Sequence, residues 1–139
     1  MSTTRNVAPF TFRLDADSGV PVYRQLIDQV LGAVATSALR TGDQLPTVRQ
    51  VAVDLAINPN TVMRAYREME IRGILDTQQG AGTFIAEQPA PAPKEERERQ
   101  LVQLTDEFVA RGGLLGFTLA DLQQRLRAME EDAGTRRKL

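Results

Sequence analysis

Asn60, Arg64 and Arg67 recur at spacings of four and three in the stretch "NPNTVMRAYREME", from Asn58 to Glu70. At about 100° per residue they share one face of a helix with Met63, while Val62, Ala65, Tyr66 and Met69 fall on the opposite face. A carboxamide both donates and accepts hydrogen bonds, and a guanidinium offers five donors in a flat fork. Neither group does acid–base chemistry at neutral pH. Both pair with the edges of nucleobases, each good pair contributing about 1–3 kcal/mol of discrimination. An apolar back and a polar, cationic front, densest near the N-terminus, is what a helix lying in a major groove requires.

Other residues fit the same chemistry. Arg49 falls in the first turn of a preceding helix, where the helix dipole disfavours a cation; a phosphate opposite it removes the difficulty. Thr61 and the backbone N–H groups at the start of the Asn58 helix suit phosphate oxygens. Further on, "QQGAGT" places Gly80 and Gly82 at a hairpin tip. A GxG alone is weak evidence, and this one lacks the Lys-Ser/Thr of a nucleotide-binding loop. It is a tight turn that, laid along a nucleic-acid backbone, offers its N–H groups and Gln79.

Composition narrows the alternatives. The 139 residues include no Cys and no His, which removes disulfides, Cys/His metal sites and thiol or imidazole catalysis. No metal or cofactor is expected. Carboxylates are plentiful, but Asp15 and Asp17 precede a turn, and Glu95, Glu96 and Glu98 begin a solvated helix; none has the apolar or paired setting of a general acid. An enzyme is not expected. The net charge is −1, whereas nucleic-acid-binding domains are usually basic. Both sides of a division at Gln88 are close to neutral, so a nucleic-acid reading rests on where the arginines point. "MSTTRNVAPFTF" lacks the apolar core of a signal peptide, and no apolar run reaches membrane-spanning length. A cytoplasmic protein without membrane contact is expected.

The elements that must position these residues follow in order. "PFTFRLD" alternates Phe10, Phe12 and Leu14 with Thr11 and Arg13, as in a short strand or extended arm with one buried face. A first helix is predicted from Pro21 to Leu39, with Val22, Leu26, Val30, Leu31 and Val34 at helical spacing. "RTGDQLP" reads as a loop. Thr47 and Gln50 form a capping-box pair that opens a second helix to about Leu55. "INPNT" interrupts, Asn58 caps and Pro59 starts the third helix, and Gly73 ends it after about Arg72. "ILDT" and "TFIA" flank the glycine tip as a hairpin. "EQPAPAPK" is an extended proline–alanine linker. Two helices follow, one striped by Leu101, Leu104 and Phe108. The other opens at Thr118 with Asp121 and carries Leu119, Leu122, Leu126 and Met129; "EEDAGTRRKL" is expected to fray.

The predicted fold is mainly α with a small β-hairpin: a winged helix-turn-helix followed by a C-terminal helical dimerisation hairpin. Its parts are a DNA-binding domain with an N-terminal arm over 1–88, a linker over 89–94 and a two-helix dimerisation region over 95–139.

The segment "GDQLPTVRQVAVDLAINPNTVMRAYREMEIRGILDTQQGAGTFI" resembles the N-terminal DNA-binding signature of GntR-family bacterial transcription regulators. Leu45-Pro46, the Arg49 turn, the "NTV-R-Y" pattern, the helix end from Glu70 to Gly73 and "QGAGTFI" carry the likeness. The opening "SGVPVYRQL" and the short two-helix tail are similar to the YtrA-like subfamily, whose members lack a large effector domain. The resemblance implies DNA contacts from Thr47, Arg49, Asn60, Thr61, Arg64 and the Gly80 to Gly82 wing. With Asn58, Arg67 and Gln79 these make up the candidate DNA-binding set. Pro59 and Met63 depart from the family pattern, standing where many members carry arginine, and Thr77, Gln78 and Ala81 make the wing less basic. Weaker non-specific affinity is the expected consequence.

Two helices cannot bury leucine stripes well alone. Leu101, Leu104, Phe108, Leu119, Leu122 and Leu126 are therefore the candidate dimerisation residues, with a second copy of the chain as partner under C₂ symmetry. Two half-sites double the cationic contacts and call for a palindromic double-stranded operator. The expectation is a homodimeric, sequence-specific regulator of transcription, acting as a repressor. The residues name no small-molecule effector. The rival is a winged-helix module that binds another protein through its third helix and binds no DNA.

Overall fold

The computed structural model describes residues 10–138, with side chains as far as residue 135. The N-terminal stretch read for a signal peptide falls almost wholly outside them, as does Leu139. The chain divides into two compact units. The first holds residues up to Gln88 together with those from Ala133 on, and the second runs from Pro89 to Asp132.

In the first unit, residues 10–15 form an extended arm rather than a strand. Phe10 and Phe12 are buried edge to face, ring centroids 4.8 Å apart. Instead of a neighbouring strand, two glutamines one turn apart on the first helix satisfy the arm. Gln29 accepts from the Arg13 N–H at 2.8 Å and donates to its carbonyl at 2.6 Å; Gln25 does the same for Asp15, both at 2.9 Å. Side-chain amides thus supply the hydrogen bonds that a neighbouring strand would otherwise give the arm.

That helix, α1 (Val22–Ala35), ends four residues before the predicted Leu39, because Ser37 turns left-handed at φ 62°. Pro21 precedes it as the cap residue rather than opening it. Its buried face is Leu26, Ile27, Val30 and Ala33. Leu31, placed in the stripe by spacing, is exposed.

The segment expected to be only a loop contains a two-residue strand, β1 (Gln44–Leu45). It pairs antiparallel with β3 (Gly82–Ile85), which also pairs with β2 (Leu75–Gln78). The order β1-β3-β2 makes a three-stranded sheet where a hairpin was expected. Leu45, buried, joins the core cluster with Leu75 and Ile85.

Between β1 and β2 lie α2 (Val48–Leu55) and α3 (Pro59–Ile71). The Thr47–Gln50 capping box is present in both directions, at 3.1 and 2.9 Å. Ala56, left-handed at φ 54°, ends α2. Asn58 caps α3 and Pro59 opens it. Gly73, at φ 78°, closes it in a Schellman arrangement: Ile74 N–H donates to the Met69 carbonyl and Gly73 N–H to that of Glu70. Val62, Ala65, Tyr66 and Met69 are all buried, as the periodicity demands. The Tyr66 hydroxyl donates to the Pro46 carbonyl at 2.6 Å and so ties α3 to the entrance of α2. Burial pushes its phenol far above the ordinary range, so it stays a neutral donor.

The second unit is built on α4 (Lys94–Leu114) and on α5 (Leu119–Lys138) as far as Asp132. Gly116, left-handed at φ 86°, turns the chain, with Phe117 N–H donating to the Gly112 carbonyl at 2.8 Å. Thr118 and Asp121 cap α5 reciprocally. These bonds from the Thr118 backbone and side chain hold the Asp121 carboxyl below its usual range. Gly112 is buried, and a Cβ there would meet Leu122 Cδ1 at 2.9 Å, so glycine sets the close approach of the helices. Where fraying was expected, α5 continues to Lys138, and Ala133 is buried.

Candidate nucleic-acid interface

The outward face of α3 carries Asn60, Met63, Arg64 and Arg67, all exposed, with Thr61 half-buried beside them. The ion pairs among the described residues are Arg24–Asp28 and Arg72–Glu68. Neither uses Arg49, Arg64 or Arg67, so all three keep their positive charge unneutralised by a neighbouring carboxylate. Arg49 stands exposed on the first turn of α2.

Capping has consequences for the helix starts. Asn58 Oδ1 accepts the Asn60 N–H at 2.8 Å, the Asn58 carbonyl accepts that of Thr61 at 3.0 Å, and Pro59 has none. The expectation that free N–H groups at this helix start would receive a phosphate is therefore corrected: the cap uses them. What remains for an outside partner is the Thr61 hydroxyl and the Asn58 side-chain NH₂. Thr47 is similar. Its oxygen accepts from Gln50 N–H, while its own O–H stays available to donate.

The wing has a defined geometry. Gln78 and Gly82 pair across the hairpin, and Ala81 N–H closes a turn onto the Gln78 carbonyl at 3.0 Å. Gly80 occupies the third position of that turn at φ 83°, where a side chain is strained. Gln79 and Gly80 are exposed, but Gly82 is half-buried. The space of a Gly82 Cβ is filled by the Gln44 side chain, whose Nε2 donates to the Ala81 carbonyl at 3.2 Å. Gly82 itself sits at φ 129°, where any side chain is strained, and this conformation is its reason to be glycine. At the wing's base the Thr77 hydroxyl donates to the Glu70 carboxylate at 2.6 Å and meets Thr83 Oγ1 at 3.2 Å, linking β2 to α3.

Two contributors escaped the sequence reading. One is Gln44, the wing support. The other is Tyr23 on α1, whose ring lies 3.8 Å from the Arg64 guanidinium carbon. Both contacts cross long stretches of chain, and no local spacing announces them.

In the second unit Leu101 and Leu104 are 63% and 64% exposed, and Phe108, Leu119 and Leu126 are exposed as well. Leu122 differs, being half-buried against Gly112.

A helix pair with a capped recognition helix, followed by a glycine-tipped hairpin, is a winged helix-turn-helix. Residues 22–85 match the family described as bacterial regulatory proteins, gntR family. The chain is 36% identical over 114 residues to the uncharacterised HTH-type transcriptional regulator YhcF of Bacillus subtilis, covering 82% of this chain and 93% of that one. It is 30% identical over 120 residues to the HTH-type transcriptional repressor YtrA of the same organism, with 86% and 92% covered. Among solved structures, a transcriptional antiterminator from Listeria monocytogenes superposes with a TM-score of 0.64 at 25% identity, over 91% of this chain and 94% of the other. The chain belongs to the gntR family and is a DNA-binding regulator of transcription, not an enzyme. That decides against the protein-binding alternative. No helix among the described residues is long and apolar enough to cross a membrane.

Proposed function

We infer that the chain acts as a homodimeric repressor that occupies a palindromic operator in the bacterial cytoplasm. The α3 helix lies in the major groove, with Asn60, Arg64 and Arg67 directed at base edges and Thr61 and the Asn58 NH₂ at the flanking backbone. Arg49 and the Thr47 hydroxyl hold phosphates from the start of α2. The wing adds Gln79 and the Gly80 N–H. Gly82 and Leu122 act from behind, one letting Gln44 support the wing tip and the other seating α5 on α4.

The single observation that carries this reading is the two-sidedness of α3. Its back is buried at Val62, Ala65, Tyr66 and Met69, and its front holds two arginines that no carboxylate neutralises. The family likeness to a named repressor supports the direction of regulation.

Dimerisation supplies what the neutral net charge withholds. One module presents few cations, and a second copy doubles them on one duplex. The stripe of Leu101, Leu104, Phe108, Leu119 and Leu126 is the surface for that copy, since scattered single apolar residues are ordinary on a protein but a contiguous set is not. Selection of duplexes from a random-sequence pool by the full chain tests the arrangement. An enriched inverted repeat is expected; enrichment of a single unrepeated site, or none, contradicts it.

A further inference from the structure

The geometry points to Tyr23 as a positioning residue for DNA recognition: its ring is a platform that holds the Arg64 guanidinium ready on the outer face of α3. The inference rests on the reading of α3 as the recognition helix.

The Arg64 Cζ atom lies 3.8 Å from the centre of the Tyr23 ring, well inside the roughly 6 Å at which a cation is drawn to an aromatic face. The platform is itself fixed. Tyr23 stands in the first turn of α1, half-buried and packed against the core, three and four residues before the fully buried Leu26 and Ile27. An exposed arginine on a flexible stem normally explores many rotamers and must give them up on binding. Arg64 has lost part of that freedom before any duplex arrives.

The manner of restraint matters more than its strength. Arg72 and Arg24 are held by Glu68 and Asp28, at 3.0 and 3.5 Å, which neutralise the charge and engage the donors. The Arg64 side chain forms no hydrogen bond or ion pair among the described residues; the ring attracts the cation yet takes none of its N–H groups to an acceptor. Its five donors stay open for the paired hydrogen bonds that a base edge accepts. Arg49 and Arg67 have no aromatic platform among the described residues, so Arg64 is singled out as the preordered, specificity-determining cation. Through it α1, which contributes none of the candidate contacts, takes part in recognition.

The test uses the full chain, its Tyr23→Phe, Tyr23→Leu and Arg64→Ala variants, and the Tyr23→Leu/Arg64→Ala double variant. The probes are a duplex enriched by the unaltered chain from a random-sequence pool and a scrambled duplex of the same length. Tyr23→Leu, which keeps bulk but no π face, is expected to weaken binding to the enriched duplex about fivefold. Binding to the scrambled duplex should stay unchanged, and Tyr23→Phe should match the unaltered chain. With Arg64→Ala already present, adding Tyr23→Leu should cost nothing more. An equal loss in the Arg64→Ala background would mean that Tyr23 serves only to support the fold. Undiminished discrimination by Tyr23→Leu overturns the inference while leaving the recognition helix in place. Failure of the unaltered chain to enrich any duplex removes both.

Discussion

The two units of this chain differ in how much of their apolar surface they withdraw, although the first also leaves Val53 and Ile71 exposed. In the first, Leu26, Ile27, Val30, Val62 and Met69 are withdrawn almost completely from solvent. Its polar ends are also accounted for, by the capping box at Thr47, the Asn58 cap, the Schellman turn at Gly73 and the paired Gln25 and Gln29 amides. In the second unit Leu101, Leu104, Leu114 and Leu115 stand well exposed. Its helices are as carefully terminated, by Gly116 and by Thr118 with Asp121, but their stripes have little within the unit to cover them. Capping signals occur in both regions, whereas nearly all of the buried apolar core lies in the first. In the proposed dimer, a second copy of the chain covers these exposed leucine stripes by symmetry.

Three substitutions break or sharpen that contrast. The largest effect is expected from Phe108→Glu. In the proposed C₂ dimer each loss is suffered twice, so about 3–6 kcal/mol of association free energy should go. Sedimentation should then show a monomer whose first unit still unfolds cooperatively. A dimer that survives the substitution places the subunit contact elsewhere. Next is Met69→Ala in the closed core, where the cavity should cost about 2–5 kcal/mol of folding stability, read from denaturant unfolding; a loss under 1 kcal/mol would mean that α3 is less tightly seated than its burial indicates.

The smallest effect concerns the cap of α5. Hydrogen bonds from Thr118 lower the Asp121 pKa in the folded chain. A depressed folded value contributes stability at pH above the ordinary 3.8, and that contribution is lost as pH falls through the lowered value. Asp121→Asn should therefore slightly reduce thermal stability at neutral pH and narrow its difference from the unaltered chain in acid. A difference that stays constant with pH would show that the carboxylate is immaterial to the cap.

The same contrast explains what could be foreseen. Thr47 with Gln50, Asn58 with Pro59, Gly73, and Thr118 with Asp121 are local pairings, and each forms where its residue types indicated. The α3 face was equally legible, because a helical period sorts Val62, Ala65, Tyr66 and Met69 from Asn60, Arg64 and Arg67. Non-local features were hidden. The strand at Gln44–Leu45 is defined by pairing with residues some forty positions away. Ser37 adopts a left-handed turn usually left to glycine, so α1 stops without announcing it. Tyr23 gives no sign along the chain that it meets Arg64. At the far end "EEDAGTRRKL" was expected to fray, yet its helix-forming Glu, Ala and Arg continue α5 to Lys138.

The account depends most on the outer face of α3 meeting DNA. Fluorescence anisotropy of an enriched duplex with the Arg64→Ala and Arg67→Ala variants, each paired with its thermal unfolding curve, tests this most directly. Each variant is expected to lose about 1–3 kcal/mol of binding while unfolding at nearly the unaltered temperature, since both side chains lie outside the core. Binding undiminished in both variants would contradict the central claim.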